Sequence, residues 1–168
     1  MSRHDPLADP APLIRSVYSY VAYRLGPGPD AEDVTSEVFE RALRYRSGYD
    51  PRRGEPVAWL FGIARRCLAD AGRHAVVVDA VELPPGRDLE ADTVHRLTVR
   101  AAVNGLDERD RELVALRYGA DLTARQIASV LGLKTNAVEV ALHRALSRLR
   151  VELEPPSAPR PRSELQPE

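Results

Sequence analysis

The run Leu122-Thr-Ala-Arg-Gln-Ile-Ala-Ser-Val-Leu-Gly-Leu-Lys-Thr-Asn-Ala-Val138 holds nothing suited to breaking a covalent bond, but it has the residue types for reading DNA. Thr123 and Gln126, three apart, fit a capping box that starts one helix. Ala128 keeps the middle of that helix slim enough for a second helix to cross closely. Gly132 suits a tight turn, where a positive φ is cheap only without a Cβ. Leu133 and Val138 then fill the angle between the helices. Thr135 can cap the second helix, which is expected to run to about Arg148 and to be the one offered to a major groove. A buried helical hairpin would use the same Ala, Gly and Val for packing alone.

A second constellation lies upstream. The loop with Tyr49, Arg52 and Arg53, and a helical stripe with Trp59, Arg66 and Arg73, combine guanidinium groups with aromatic rings. Cations for a phosphate backbone and planar faces for unstacked bases are what single-strand binding needs. A lone Trp in a small helical domain can equally be a core anchor, and Arg65 can instead bond a helix end or an acid of its own domain. Tyr18, Tyr20, Tyr23 and Tyr45 are expected to pack or to line helix interfaces.

Charge is strongly patterned although the 168-residue chain has a net charge of only −1. Pro29 to Glu40 contains five acids and no base; Arg41 to His74 contains eight Arg against Asp50, Glu55 and Asp70. Leu122 to Arg150 has five cations against Glu139 alone. Two basic segments and one acidic one suggest two contacts with DNA and one with a positive partner; solvated helix faces would show the same blocks.

Helical periodicity supplies the elements that must position these groups. Leu13, Val17, Val21 and Leu25 share a face of a helix over about Pro12–Leu25, closed by Gly26. Asp30 opens a second, with Val34, Val38 and Ala42 inward and Phe39 and Leu43 on the flank. A third runs from near Glu55-Pro56 to about Arg73, burying Val57, Leu60, Ala64, Cys67, Leu68 and Ala71. Helices resume at about Asp92–Asn104 and Asp107–Tyr118, ahead of the helix-turn-helix. The expected architecture is all-α: two small helical domains, 10–75 and 92–153, joined by a linker over 76–91. The Pro-rich tail over 154–168 is expected to be disordered.

Several function classes are disfavoured. No run of about 18 apolar residues exists for a membrane span, and the first residues lack an apolar signal core, so a cytoplasmic protein is expected. Cys67 is the only cysteine, which rules out an internal disulfide or a Cys-based zinc site. His4, His74, His95 and His143 are scattered without metal spacing, and no phosphate loop or nucleophile elbow occurs. No catalytic residues, metal, cofactor or small-molecule substrate are expected.

Taken together, the segments resemble the extracytoplasmic-function (ECF) sigma factors of bacterial RNA polymerase, over roughly Leu13 to Leu153. Asp30-Ala-Glu-Asp-Val-Thr-Ser-Glu-Val-Phe39 is similar to the region 2 signature that docks on the polymerase clamp. Tyr49-Asp-Pro-Arg-Arg-Gly54 and Ala58-Trp-Leu-Phe-Gly-Ile-Ala-Arg65 are similar to the promoter-melting part of that region. Leu106 to Tyr118 with the helix-turn-helix is similar to region 4.

The resemblance implies that Asp30, Glu32, Asp33 and Glu37 face core RNA polymerase, where the same acids could otherwise serve only the helix dipole. It implies that Tyr49, Arg52, Arg53, Trp59, Arg66 and Arg73 meet the −10 element as a single strand. It implies that Thr135, Asn136, Glu139, Val140 and His143 face −35 base edges, with Lys134, Arg144 and Arg148 on phosphates. Promoter DNA and an anti-sigma protein are the further partners implied. Glu139, Val140 and Ala141 depart from the family's commoner basic or Ser residues, which implies weak or unusual −35 recognition. A free-standing helix-turn-helix regulator would leave the acidic helix and the Arg/aromatic loop without an evident task.

Overall fold

The computed structural model describes residues 5–72 and 98–154, and every regular element among them is a helix. The linker at 76–91, the start of the Asp92–Asn104 helix, Arg73 and all of the tail but Glu154 lie outside the described residues.

Three helices form the first module. α1 (Pro10–Leu25) begins with Pro in its first turn, where a missing N–H costs nothing, and ends at Gly26 with φ 92°. α2 (Pro29–Tyr45) starts at Pro29, one residue before the expected Asp30, with Asp30 and Glu32 in the first turn. It buries Ala31, Val34, Thr35, Val38 and Ala42, while Leu43 stays exposed. A single 3₁₀ turn (Arg46–Gly48) leads into the Tyr49–Glu55 loop. α3 (Pro56–Gly72) buries Leu60, Ala64, Cys67 and Leu68 as expected, and also Phe61 and Ile63. The Cys67 thiol is held above its ordinary pKa chiefly by burial, which keeps it protonated and inert.

Among the described residues, the second module has four α-helices. α4, described over 98–104, is followed by α5 (Glu108–Val114), whose first turn is capped by the Asp107 carboxylate accepting from Asp110 N at 2.8 Å. Arg111 fastens the turn between them by donating to the carbonyls of Asn104 and Leu106, both at 2.8 Å. The expected single helix to Tyr118 widens after Val114 into a π turn (Ala115–Gly119), where Ala120 N reaches back to Ala115 O at 3.0 Å. α6 (Ala124–Leu131) carries the full capping box: Thr123 Oγ1 accepts from Gln126 N and Gln126 Oε1 accepts from Thr123 N. Gly132 then adopts φ 66°, and α7 (Thr135–Leu153) runs past the expected end at Arg148. Lys134 stands at the α7 cap without a side-chain bond, so Thr135 is the first helical residue and not the cap.

The modules pack on each other. One apolar core joins Val17, Tyr20, Val38, Phe61 and Ala64 to Leu113, Leu116, Ile127, Ala128 and Val138. A smaller cluster of Val103, Leu106, Val114, Ala145 and Leu149 closes the far side of the second module. Gly119 marks the tightest approach: a Cβ there would meet Tyr20 Cα and Tyr23 Cβ at 3.2 Å.

The turn residue offers a clean test. A Cβ at Gly132 would touch nothing within 4 Å, so Gly132→Ala isolates the left-handed backbone penalty. It is expected to destabilise the chain by about 1 kcal/mol, read as a lower urea midpoint at unchanged m-value.

Candidate nucleic-acid and polymerase interfaces

Three exposed surfaces carry unneutralised side chains. On α2, Asp30, Asp33 and Glu37 recur at i, i+3 and i+7, away from the buried face. Asp30, Glu32 and Asp33 are exposed with no basic partner among the described residues. Glu37 is half-buried and bonded by Arg41, which also donates to Asp70 Oδ2 at 3.0 Å. Part of its charge is therefore already answered within the module.

The loop after α2 is braced by its aromatic residue. Tyr49 packs its ring against Trp59 (centroids 5.5 Å apart, planes at 56°) and donates its hydroxyl to Gly54 O at 3.0 Å. The backbone N–H groups of Arg52 and Arg53 both turn onto Asp50, at 3.0 Å, which leaves the two guanidinium groups in solvent. Trp59 is half-buried and packs against the core, the anchoring role open to it from sequence.

Arg66 on α3 lines a shallow cleft of about 360 Å³ with Arg41, Arg44, Tyr45 and Ile63. Arg44 and Arg66 are exposed and have no acid partner among the described residues, and Tyr45 is 57% exposed. Tyr45 is therefore not packed in the core but lines the cleft between α2 and α3. Arg44 and Tyr45 are cleft residues that sequence reasoning missed. Their place one helical turn beyond Arg41, at the end of α2, was the available signal. Arg65 bonds an acid, but in the other module: its Nε donates to Glu112 Oε1 at 2.9 Å.

On α7, Val138, Leu142, Ala145 and Leu149 face the core. Asn136, Val140 and His143 (i, i+4, i+7) lie on the opposite face, and Thr135, Glu139 and Arg144 flank them, all exposed. Lys134 is exposed just ahead of the helix. Arg148 is different. Its guanidinium bonds Asp110, which is buried, and reaches Asp107 at 3.4 Å. The structure thus assigns it to bracing α7 against α5, where it is less available to a phosphate than Arg144. Among the described residues, no three His, Cys, Asp or Glu side chains cluster to hold a metal ion.

Comparison with known proteins matches this layout region by region. The sigma-70 region 2 family matches residues 12–75, and the sigma-70 region 4 family matches residues 96–149. The ECF RNA polymerase sigma factor ShbA of Streptomyces griseus is 35% identical over 165 residues, covering 88% of this chain and 85% of that protein. The chain belongs to the ECF sigma factors. A second such factor, BldN of Streptomyces coelicolor, is 31% identical over 144 residues; the match takes in 80% of this chain but only 54% of BldN, so the chain spans about half the length of that relative. The fold is shared with the sigma factor RpoE of Bartonella quintana in its complex with the anti-sigma factor NepR (TM-score 0.64, 19% identity, 84% of this chain and 91% of that one).

For this sigma factor the two α7 arginines are expected to separate on mutation. Arg148→Ala leaves the buried Asp110 carboxylate short of a donor and is expected to cost about 1–3 kcal/mol, seen as a lower melting temperature. Arg144→Ala is expected to leave melting unchanged and to lower the salt dependence of duplex DNA binding by roughly one counterion.

Proposed function

We propose that the chain directs core RNA polymerase to a specific set of promoters and starts transcription there, acting by binding and not by covalent catalysis. Two matched sigma regions in sequence order, each with an unneutralised exposed surface, carry this reading. In it, Asp30, Glu32, Asp33 and Glu37 dock on a basic face of core polymerase; complementary charge there speeds encounter and fixes orientation. Tyr49, Arg52, Arg53, Trp59, Arg66 and, outside the described residues, Arg73 hold the −10 element as a single strand. Arg44 and Tyr45 extend that surface along the cleft. Tyr49 serves mainly to brace the loop, since its ring and its hydroxyl are both engaged.

The α7 face reads the −35 element in a major groove, with Asn136, Val140 and His143 central, Thr135 and Glu139 beside them, and Lys134 and Arg144 on phosphates. Glu139 cannot pair with phosphate and suits a cytosine amino group. Affinity for an isolated −35 duplex is therefore weak. An anti-sigma protein is the expected regulatory partner, by analogy with the RpoE–NepR complex. The place of action is the cytoplasm, where polymerase and promoter meet.

The test is run-off transcription from genomic promoter fragments with purified core polymerase. The chain is expected to stimulate specific transcripts and to co-purify with core; failure of both contradicts the proposal. Charge reversal by Asp33→Lys with Glu37→Lys is expected to abolish core binding while circular dichroism stays unchanged. Retained binding would remove the acidic face from the docking role.

A further inference from the structure

The cleft between α2 and α3 is built differently from the other exposed surfaces. It lies wholly within the first module and is lined by Arg41, Arg44, Tyr45, Ile63 and Arg66, with a volume of about 360 Å³. That is the small end of the range for ligand pockets, so it admits one base and not a length of strand. Ile63, 8% exposed, supplies an apolar surface. Tyr45, the last residue of α2, is 57% exposed. A ring that open adds little to the core, but it offers a face on which a base can stack.

The charged groups of the cleft are all donors. Arg41 is held by Glu37 and by Asp70, the latter at 3.0 Å, so it forms a fixed wall. Arg44 and Arg66 are exposed without an acid partner among the described residues, which leaves their guanidinium N–H groups open to a ligand. Among the described residues, no carboxylate lines the cleft. Such a cleft sorts bases by their acceptors. Guanine presents O6 and N7 side by side, the pair that an arginine fork takes bidentately, whereas adenine carries an amino donor in place of O6. A pyrimidine offers Tyr45 a smaller ring face.

The position along α3 fits the same ligand. Ile63 follows Trp59 by four residues, one turn and roughly 6 Å along the helix. One or two nucleotides of a strand cover that step. A strand leaving Arg52 and Arg53, whose loop Tyr49 pins to Trp59, therefore meets the cleft next. We propose that the cleft is a one-base pocket selective for guanine in an unpaired strand, with Arg44 and Arg66 on the base edge and Tyr45 stacked on its face. The pocket rests on the sigma-factor reading for the source of that strand. It makes Arg44 and Tyr45, on α2 and outside the Arg52–Arg53 loop, specificity-determining residues for the −10 side.

The test is run-off transcription by core polymerase with the full chain, on a promoter it selects whose −10 region is randomised in the nontemplate strand. The wild type is expected to favour guanine over adenine about tenfold at one position. Arg44→Gln and Tyr45→Ala are expected to flatten the preference at that position alone, while Tyr45→Phe, which keeps the ring, retains it. At the same position hypoxanthine, which keeps O6 and N7, is expected to replace guanine fully; 7-deazaguanine, which lacks N7, is expected to lose about tenfold. No guanine preference at any position, equal use of guanine and 7-deazaguanine, or an unchanged preference in both Arg44→Gln and Tyr45→Ala would overturn the pocket. If the chain supports no transcription, the sigma-factor reading falls and the pocket is decided by the free chain with short single-stranded oligonucleotides, one guanine or one adenine set in a thymine tract. Tighter binding of the guanine strand, lost in Tyr45→Ala, upholds the pocket; no difference between the two strands overturns it.

Discussion

Val17, Tyr20 and Phe61 from the first module and Leu113, Leu116 and Ile127 from the second are closed to solvent in one continuous apolar core. Each such side chain contributes about 1.5–3 kcal/mol when fully buried. The helices of both modules present narrow apolar stripes, and each module completes the other's. The orientation of α6 follows from this packing, and so does the position of α7, whose Val138 shares the core with Ile127 and Ala128 of α6. The exposed charged surfaces are the helix faces left over once the core is satisfied.

Charge placement divides the arginines more sharply than exposure does. Arg24, Arg41, Arg65 and Arg148 are all spent on acids within the chain. Arg44, Arg52, Arg53, Arg66 and Arg144 are exposed without such partners among the described residues, as are Asp30, Glu32 and Asp33. An unpaired charge in solvent adds little to folding and is free to act on a partner. These cations lie on the loop, the cleft and α7, and these three acids lie on α2. One chain thus presents segregated acidic and basic surfaces, which its net charge of −1 conceals.

The local signals were legible because they depend on neighbours in sequence. Thr123 with Gln126, the positive φ of Gly132 and the inward faces of Val17, Val34 and Leu60 are all fixed within a few residues. The placement of Arg65 was not, because its acid lies 47 residues away on α5. Arg148 is a similar case, with Asp110 38 residues away. The π turn after Val114 escaped as well: it carries ordinary helix formers, and Ala115 and Leu116 widen the helix to meet α1, a tertiary demand. Nothing in the periodicity of either half announced that the modules would share a core, since a stripe facing a neighbouring module reads like one facing its own.

The proposed role of Arg52 and Arg53 at the −10 element is tested most directly by permanganate probing of a promoter bound by core polymerase and this chain. Thymines within the −10 element are expected to become reactive with the wild type and to stay protected with Arg52→Ala, Arg53→Ala, at equal occupancy of core. Equal reactivity with both chains, or no reactivity with the wild type on any promoter it selects, would contradict the assignment.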